Sequence, residues 1–292
     1  MTVGSLFSGI GGLDLGFERA GCKTIWVCEK DKHCKKLLAD KFPRAKQYSD
    51  VKHLVTDFDP EYSTIDVPTV PDIIVGGDPC PAHSNATHSN KSANQESSHP
   101  DLSGYFLAVV GRFTPKWVVR ENVPSPVTID WFATALGALG YTTITVWINA
   151  SEFVSQNRLR AFVVGCTSKS AIKKFCKEFS SKETRFESME CRQVTPCLTT
   201  AQRRSIFDTY CFELGRGIRV LEPEETEFFA GFPHNWTSGF SSAVRNRMHG
   251  NAVVPQVAEA IAVRIVKASR NIKWEPLDVQ AGIERTLGKF FF

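Results

Sequence analysis

The first thirty residues leave few folds open. Val3 to Phe7 is a short apolar run, Ser8-Gly9-Ile10-Gly11-Gly12 follows it, and Leu13 to Ala20 has helical spacing up to a capping Gly21. Thr24 to Cys28 is a second apolar run and ends at Glu29. Strand, glycine turn, helix, strand, acidic residue is the order of a nucleotide-binding βαβ unit. The glycines let a ligand approach the backbone, and the carboxylate can hold ribose hydroxyls. The glycine spacing is not G-x-G-x-x-G, so a dinucleotide pyrophosphate is not the expected ligand. An ordinary tight turn between strand and helix is the plainer alternative.

The rest of the chain keeps this rhythm. Lys30 to Phe42 suits a helix stopped by Pro43. Asp50 follows a third strand and, taken alone, is a helix N-cap rather than a ligand contact. Asp72 to Val75 is a fourth strand and runs into Gly76-Gly77-Asp78-Pro79-Cys80. A cysteine just past the carboxyl end of a buried strand sits where ligands and reactive groups collect in an open α/β sheet. Pro79 fixes one φ angle beside the thiol. A free cysteine is also commonly an inert small apolar residue, and this stretch alone leaves both roles open.

Pro81 to Pro100 is rich in Ser, Asn, His, Thr and Lys and has no apolar periodicity. A polar segment of that length beside a candidate nucleophile is expected to be an active-site loop that closes over substrate. His83, His88 and His99 lack metal-helix spacing, and no metal is expected. After a helix over Leu102 to Phe113 comes a strand over Trp117 to Arg120, with Glu121-Asn122-Val123-Pro124 at its end. Glu121 is then aimed at the same crevice as Cys80, unless it is an ion-paired or capping residue. Thr128 to Leu139 is a helix and Thr142 to Ile148 a strand. Gln156-Asn157-Arg158-Leu159-Arg160 leads into a strand over Ala161 to Gly165. Arg158 and Arg160, two apart, face one side of an extended segment. They could bracket a base or phosphate, or form a solvated face.

Nine cysteines, an odd number with no CxxC pair, argue against a disulfide framework or a Cys-rich zinc site and for a reducing compartment. No apolar run approaches the ~18 residues of a membrane span, and no signal peptide opens the chain; a cytoplasmic location with no membrane is expected. A net charge of +4 permits a nucleic-acid partner without requiring one. Lys169 to Glu190 is charge-rich and is expected to be a separate peripheral element. Thr195-Pro196-Cys197-Leu198-Thr199-Thr200 follows, then Arg203 and Arg204. Glu222 to Ala230 is a short helix, Arg245 and Arg247 add positive charge, and Gly250-Asn251-Ala252-Val253-Val254-Pro255 precedes an apolar helix from Gln256 to about Ser269.

In this order, the motifs closely resemble those of DNA cytosine-5 methyltransferases of the prokaryotic or phage type, over nearly the whole chain. Phe7 to Gly12 is similar to the family's cofactor loop. Pro79-Cys80 is similar to its catalytic dipeptide, with Ser84 at the matching downstream position. Glu121-Asn122-Val123 and Gln156-x-Arg158-x-Arg160 match two further motifs. Arg219 to Pro233 resembles the segment that props the recognition region, and Gly250-Asn251 with Val253 resembles the final motif.

The resemblance implies an α/β fold, a Rossmann-like sheet of S-adenosylmethionine-dependent methyltransferases with a small, irregular target-recognition region. It implies a catalytic and cofactor-binding domain over 1–166, a recognition region over 167–248, and a C-terminal helical part over 249–292 that packs back. The implied activity is methyl transfer from S-adenosyl-L-methionine to C5 of cytosine in double-stranded DNA, leaving S-adenosyl-L-homocysteine. Cys80 would add to C6 of a base extruded from the duplex. Glu121 would hold the N3 edge, Asn122 would orient the loop, and Arg158 and Arg160 would position the Cys80 loop and the base. The cofactor would lie over Ser8, Gly9, Gly11 and Gly12, with Phe7 against adenine, Glu29 on the ribose and Asp50 on the adenine amine. Asn251 and Val253 would meet its methionine end, with Asp78 also beside it. A monomer is expected, with a cognate restriction endonuclease as a candidate partner. A tRNA cytosine-5 methyltransferase on the same scaffold and a non-catalytic DNA-binding relative are the alternatives.

Three features depart from the family. Asp78 stands where the family usually has an apolar residue or proline, and Pro81 where it usually has glutamine. A carboxylate beside the thiol would raise the thiol's pKa unless Asp78 points away. The recognition region is short, since only residues 167–194 separate Cys166 from Thr195, which predicts a short or relaxed target sequence read with few base-edge contacts.

Overall fold

Four largely apolar runs and one short polar segment form parallel strands: β1 (Thr2–Leu6), β2 (Lys23–Cys28), β3 (Lys46–Tyr48), β4 (Ile73–Gly76) and β5 (Trp117–Asn122), with the polar β3 at the edge. With β6 (Thr142–Asn149) and β7 (Leu159–Cys166) they make one sheet of order β3-β2-β1-β4-β5-β7-β6. β7 is antiparallel to both neighbours. Its connection from β6 is too short for a parallel crossover, which needs a dozen or more residues. The chain is seen here as a computed structural model that describes residues 1–55, 69–79, 102–180, 197–198, 210–213 and 217–274. Cys80, Ser84, the polar stretch to Pro100, Arg203, Arg204 and the tail from 275 lie outside the described residues.

Helices cover both faces of the sheet, as a doubly wound parallel sheet requires. Alternation along each strand sends one set of side chains to each layer. Val3, Ile73, Val75, Trp117 and Val119 pack against α1 (Gly12–Arg19), α5 (Lys169–Ser180) and α8 (Pro255–Ala268). Leu6, Ile74, Val118 and Val163 pack against α3 (Ser103–Phe113) and α4 (Pro126–Ala138). α1 and α8 touch at Gly16, where a Cβ would come within 2.5 Å of the Ala258 Cβ. That contact seats the late α8 beside the first helix.

A third apolar cluster joins Ile10, Val27, Leu37 and Leu38 to Phe232, Trp236 and Met248. It brings α2 (Lys32–Lys41) together with α6 (Pro223–Phe229) and α7 (Ser242–Asn251). Trp236 Nε1 donates to the Ile10 carbonyl at 2.9 Å, tying this late segment to the first glycine turn. A separate hairpin pairs β8 (Tyr210–Glu213) with β9 (Gly217–Val220).

Two expectations change. The charge-rich stretch is not wholly peripheral: α5 exposes Lys169, Lys173, Lys174 and Lys177, while Ala171, Ile172 and Phe175 are buried in the sheet's core. Residues 242–251 show little apolar helical period, yet they form α7, whose buried side combines Met248 with the polar Arg245 and His249. Arg245 there meets Glu224, Glu227 and Thr237, and His249 meets Thr226. Burial lowers the His249 pKa to about 4, so it sits there as neutral imidazole. Arg245 therefore serves an internal network. Arg247 pairs with Asp31, the N-cap of α2, at 2.9 Å. Among the described residues no helix is long and apolar enough to cross a membrane.

Candidate active site

β1 and β4 lie side by side, with Leu6 paired to Gly76, and the chain winds outward from them in opposite directions. The turns that leave their carboxyl ends open one crevice at this switch point, the usual ligand position in such sheets. The turn after β1 is Phe7 to Gly11, and the turn after β4 is Gly77-Asp78-Pro79.

The β1 turn is tightly specified. Phe7 has φ 52°, Gly9 56° and Gly11 81°. A left-handed phenylalanine is a strained conformer that persists where its surroundings impose it, commonly at functional sites. Its ring lies 6.5 Å from that of Phe106. Glu29, just past β2, fastens the turn: Oε2 accepts from Gly9 N at 2.8 Å and Oε1 from Asp31 N at 2.7 Å. Each oxygen keeps a free lone-pair direction for a hydroxyl donor. A Cβ built on Gly9 meets nothing within 4 Å, so the backbone there is open to a ligand. Gly12 closes the other side, since its Cβ would lie 2.1 Å from the Val253 carbonyl. An open glycine backbone flanked by a carboxylate with spare acceptor capacity fits the ribose end of S-adenosylmethionine.

Asp50, half-buried past β3, caps a 3-10 turn by accepting from Lys52 N at 3.0 Å and pairs with Lys30 at 3.3 Å. Burial pushes its pKa up, but these partners bring the net shift below the ordinary range. The capping expectation for Asp50 thus describes its contacts here. Ser8 is buried, and its hydroxyl donates to Ser5 Oγ at 2.9 Å. Asn251 is exposed at the end of α7.

On the other side of the crevice, Glu121 and Asn122 belong to β5 itself rather than to a loop after it. Alternation turns Glu121 towards the α8 side. Its Oε1 meets Arg160 Nε at 3.0 Å, and Oε2 lies 2.9 Å from where a Gly77 Cβ would stand. Register explains the pair: Asn122 lies opposite Ala161, so Arg160 at the start of β7 arrives beside the end of β5. Arg158 is buried and donates to the carbonyls of Leu198 and Gly250 at 3.1 and 3.2 Å. Burial, then the Arg160 charge, lowers its pKa. Both arginines reach Cys197 Sγ, at 3.3 and 3.9 Å, so they share a side as the spacing predicts. Gln156 anchors the same connection by donating to the Phe229 carbonyl at 3.1 Å. Glu121, Arg158, Arg160, Phe162, Val253 and Val254 line one small cavity.

The sequence reading missed Arg120. It faces the α3–α4 side and forms a buried two-pronged pair with Asp78, Nε to Oδ1 at 2.5 Å and Nη2 to Oδ2 at 2.7 Å. Asp78 thus points into the protein, and both its oxygens are engaged there. Alternation through Val118, Arg120 and Asn122 was the one signal for it, and nothing local named its partner.

The remaining described cysteines of the core are unlike a nucleophile. Burial raises the thiol pKa of Cys22, Cys28 and Cys34, and that of Cys166 to about 12; such thiols are inert.

Asp14, fully buried on α1, supports the β1 turn from below. Its Oδ2 accepts from Ser5 Oγ at 3.0 Å, and Oδ1 has no partner. Burial raises its pKa from 3.8 to about 7, against the lowering hydrogen bond from Ser5. The folded state therefore favours the protonated acid. Asp14's contribution to stability is fully present below about pH 4 and is lost as pH rises through 7. Between pH 5 and pH 8 the native chain is expected to lose roughly 2–3 kcal/mol relative to Asp14→Asn. Urea unfolding of both proteins at the two pH values measures this, and parallel pH profiles would refute it.

A family model described as C-5 cytosine-specific DNA methylase matches residues 1–209 and 180–267. The chain is 24% identical over 323 residues to Type II methyltransferase M.Bsp6I of Bacillus sp. (strain RFL6), covering 92% of this chain and 99% of that protein. It is 35% identical over 177 residues to Type II methyltransferase M.NgoFVII of Neisseria gonorrhoeae, covering 55% of this chain and 42% of that one. Its fold is similar to that of the S. pombe Dnmt2 methyltransferase, with a TM-score of 0.66 at 13% identity over 92% of this chain and 99% of that one.

Proposed function

Because the chain belongs to the C-5 cytosine-specific DNA methylase family, we propose that it methylates C5 of a cytosine flipped out of duplex DNA, through a covalent bond from Cys80 to C6. The observation that carries this is the Glu121–Arg160 pair, 3.0 Å apart and set directly beside the Gly77 turn that leads to Cys80. S-adenosylmethionine supplies the methyl group when bound. Phe7, Ser8, Gly9, Gly11 and Gly12 would cradle it, with Glu29 at its ribose, and Asp50, Asn251 and Val253 around the same turn. Asp78 would border the cofactor through its backbone, since its carboxylate is turned inward.

The chemistry follows from cytosine's electron demand. C5 is a weak nucleophile until the Cys80 thiolate adds to C6, which moves a π pair onto C5. C5 then takes the methyl group, a base removes the C5 proton, and the C6–S pair returns to the thiolate. Glu121 would face N3 and the exocyclic amine, supplying or holding a proton so that charge does not build up on the ring during addition. Arg160 fixes the Glu121 carboxylate by a charge-assisted contact. Arg158 would hold the end of α7 and the Leu198 segment in place around the base. Asn122 donates to the Asp78 carbonyl at 3.3 Å and so would orient the nucleophile's loop.

The relatives' Type II naming supports a role in restriction–modification, in which a cognate endonuclease would be the partner; the chain would act as a monomer. Incubation with methyl-labelled cofactor and either unmethylated duplex DNA or tRNA tests the substrate. Label in DNA, recovered as 5-methylcytosine, is expected. Label confined to tRNA would replace this function with the RNA one.

A further inference from the structure

Three consecutive residues of β5 grip the turn that leads to Cys80. Arg120 holds the Asp78 side chain, Glu121 faces Gly77, and Asn122 holds the Asp78 carbonyl. The Asp78–Arg120 pair is almost dry, with side-chain exposures of 1% and 2%. It is also built on every side. Ser103 Oγ donates to Asp78 Oδ2 at 2.6 Å, Arg120 Nη2 donates to Ser103 Oγ at 3.2 Å, and the guanidinium lies 4.4 Å from the centre of the Phe132 ring.

Taking both charges out of water is costly, and a packed apolar pair would stabilise the fold as well or better. What the ion pair adds is geometry: the planar fork of arginine accepts a carboxylate in one orientation, which a lysine or an apolar contact does not enforce. The pair joins β4's exit to β5 two residues past the Gly76–Arg120 register, and two residues before Cys80 in sequence.

We propose that Arg120 is a positioning residue for the methyl transfer: through Asp78 it sets the turn that leads to Cys80, and it holds the Asp78 charge inside the protein. This rests on Cys80 being the nucleophile. The pair takes the place of the apolar or proline contact usual before the catalytic dipeptide, and it accounts for the otherwise unfavourable carboxylate there.

The test is a cycle of Arg120→Lys, Asp78→Asn and the double variant, measured on the full-length protein at saturating duplex DNA and S-adenosylmethionine, with Cys80→Ala alongside. Arg120→Lys keeps the charge and loses only the fork, so it can fold when harsher changes do not. Each single variant is expected to lower kcat about tenfold or more, with both KM values within about twofold, the pattern of a lost transition-state contribution. The double variant should be no slower than the slower single, because both act through one link. A single variant within twofold of native kcat, effects that multiply, or losses confined to KM would overturn the proposal. An active Cys80→Ala would instead overturn the nucleophile assignment beneath it.

Discussion

Cys80→Ala is expected to lower methyl transfer by at least about four orders of magnitude, the scale on which removing a covalent nucleophile acts. Without the C6–S bond, nothing moves a π pair onto C5, and among the described residues no thiol is placed to substitute. The described core thiols are buried with raised pKa values, and Cys197 stands against Arg158 on the β7 side. Binding of S-adenosylhomocysteine should stay within about twofold, because the β1 turn is held by Glu29, Ser5 and Trp236 rather than by residue 80. Affinity for duplex DNA should also survive, since most of it comes from phosphate contacts. Calorimetric titration with S-adenosylhomocysteine and transfer of labelled methyl to DNA separate the two properties. An alanine variant that still methylated within tenfold of the native rate would exclude covalent catalysis from this site.

Much of this arrangement was legible because its signals are local. A glycine turn, an acidic residue or a Pro-Cys pair at the end of an apolar run marks a strand's carboxyl end, and parallel winding gathers those ends at one edge. Phe7 to Gly12, Glu29, Gly77 and Glu121 all follow that logic, and β1, β2, β4, β5, β6 and β7 lie within a residue or two of where the sequence puts them, whereas the β8–β9 hairpin was not foreseen. What was not legible depends on pairing across distance. Asp78 and Arg120 are far apart in sequence and meet only because β4 and β5 set Gly76 against Arg120. α7 escaped because its buried side carries Arg245 and His249, whose partners Glu227 and Thr226 come from α6, so little apolar period existed to be seen. In α5 the lysines dominate the composition, while three apolar residues at helical spacing decide its packing. Asp50 shows the converse: its local capping role was visible at once, and any ligand role must be additional to that contact.

Glu121→Gln is expected to reduce kcat by about 10²- to 10⁴-fold, the range attributed to a positioned acid–base group. Glutamine has nearly the same shape and can still accept from Arg160 through its amide oxygen, so the local fold should hold. It cannot release or take up a proton, and it gives Arg160 no counter-charge. The Arg160 contact at 3.0 Å would change from charge-assisted to ion–dipole. Glu121 is 9% exposed, so water cannot readily stand in for the lost carboxylate. If Glu121 acts on N3 as the base is attacked, the loss falls on kcat while DNA and cofactor KM values change little. If it only recognises the extruded base, KM for DNA rises and kcat holds. Steady-state and single-turnover rates on one unmethylated duplex distinguish these outcomes. A glutamine variant with near-native turnover would place Glu121 among the structural ion pairs of the sheet edge and leave the ring proton to another donor.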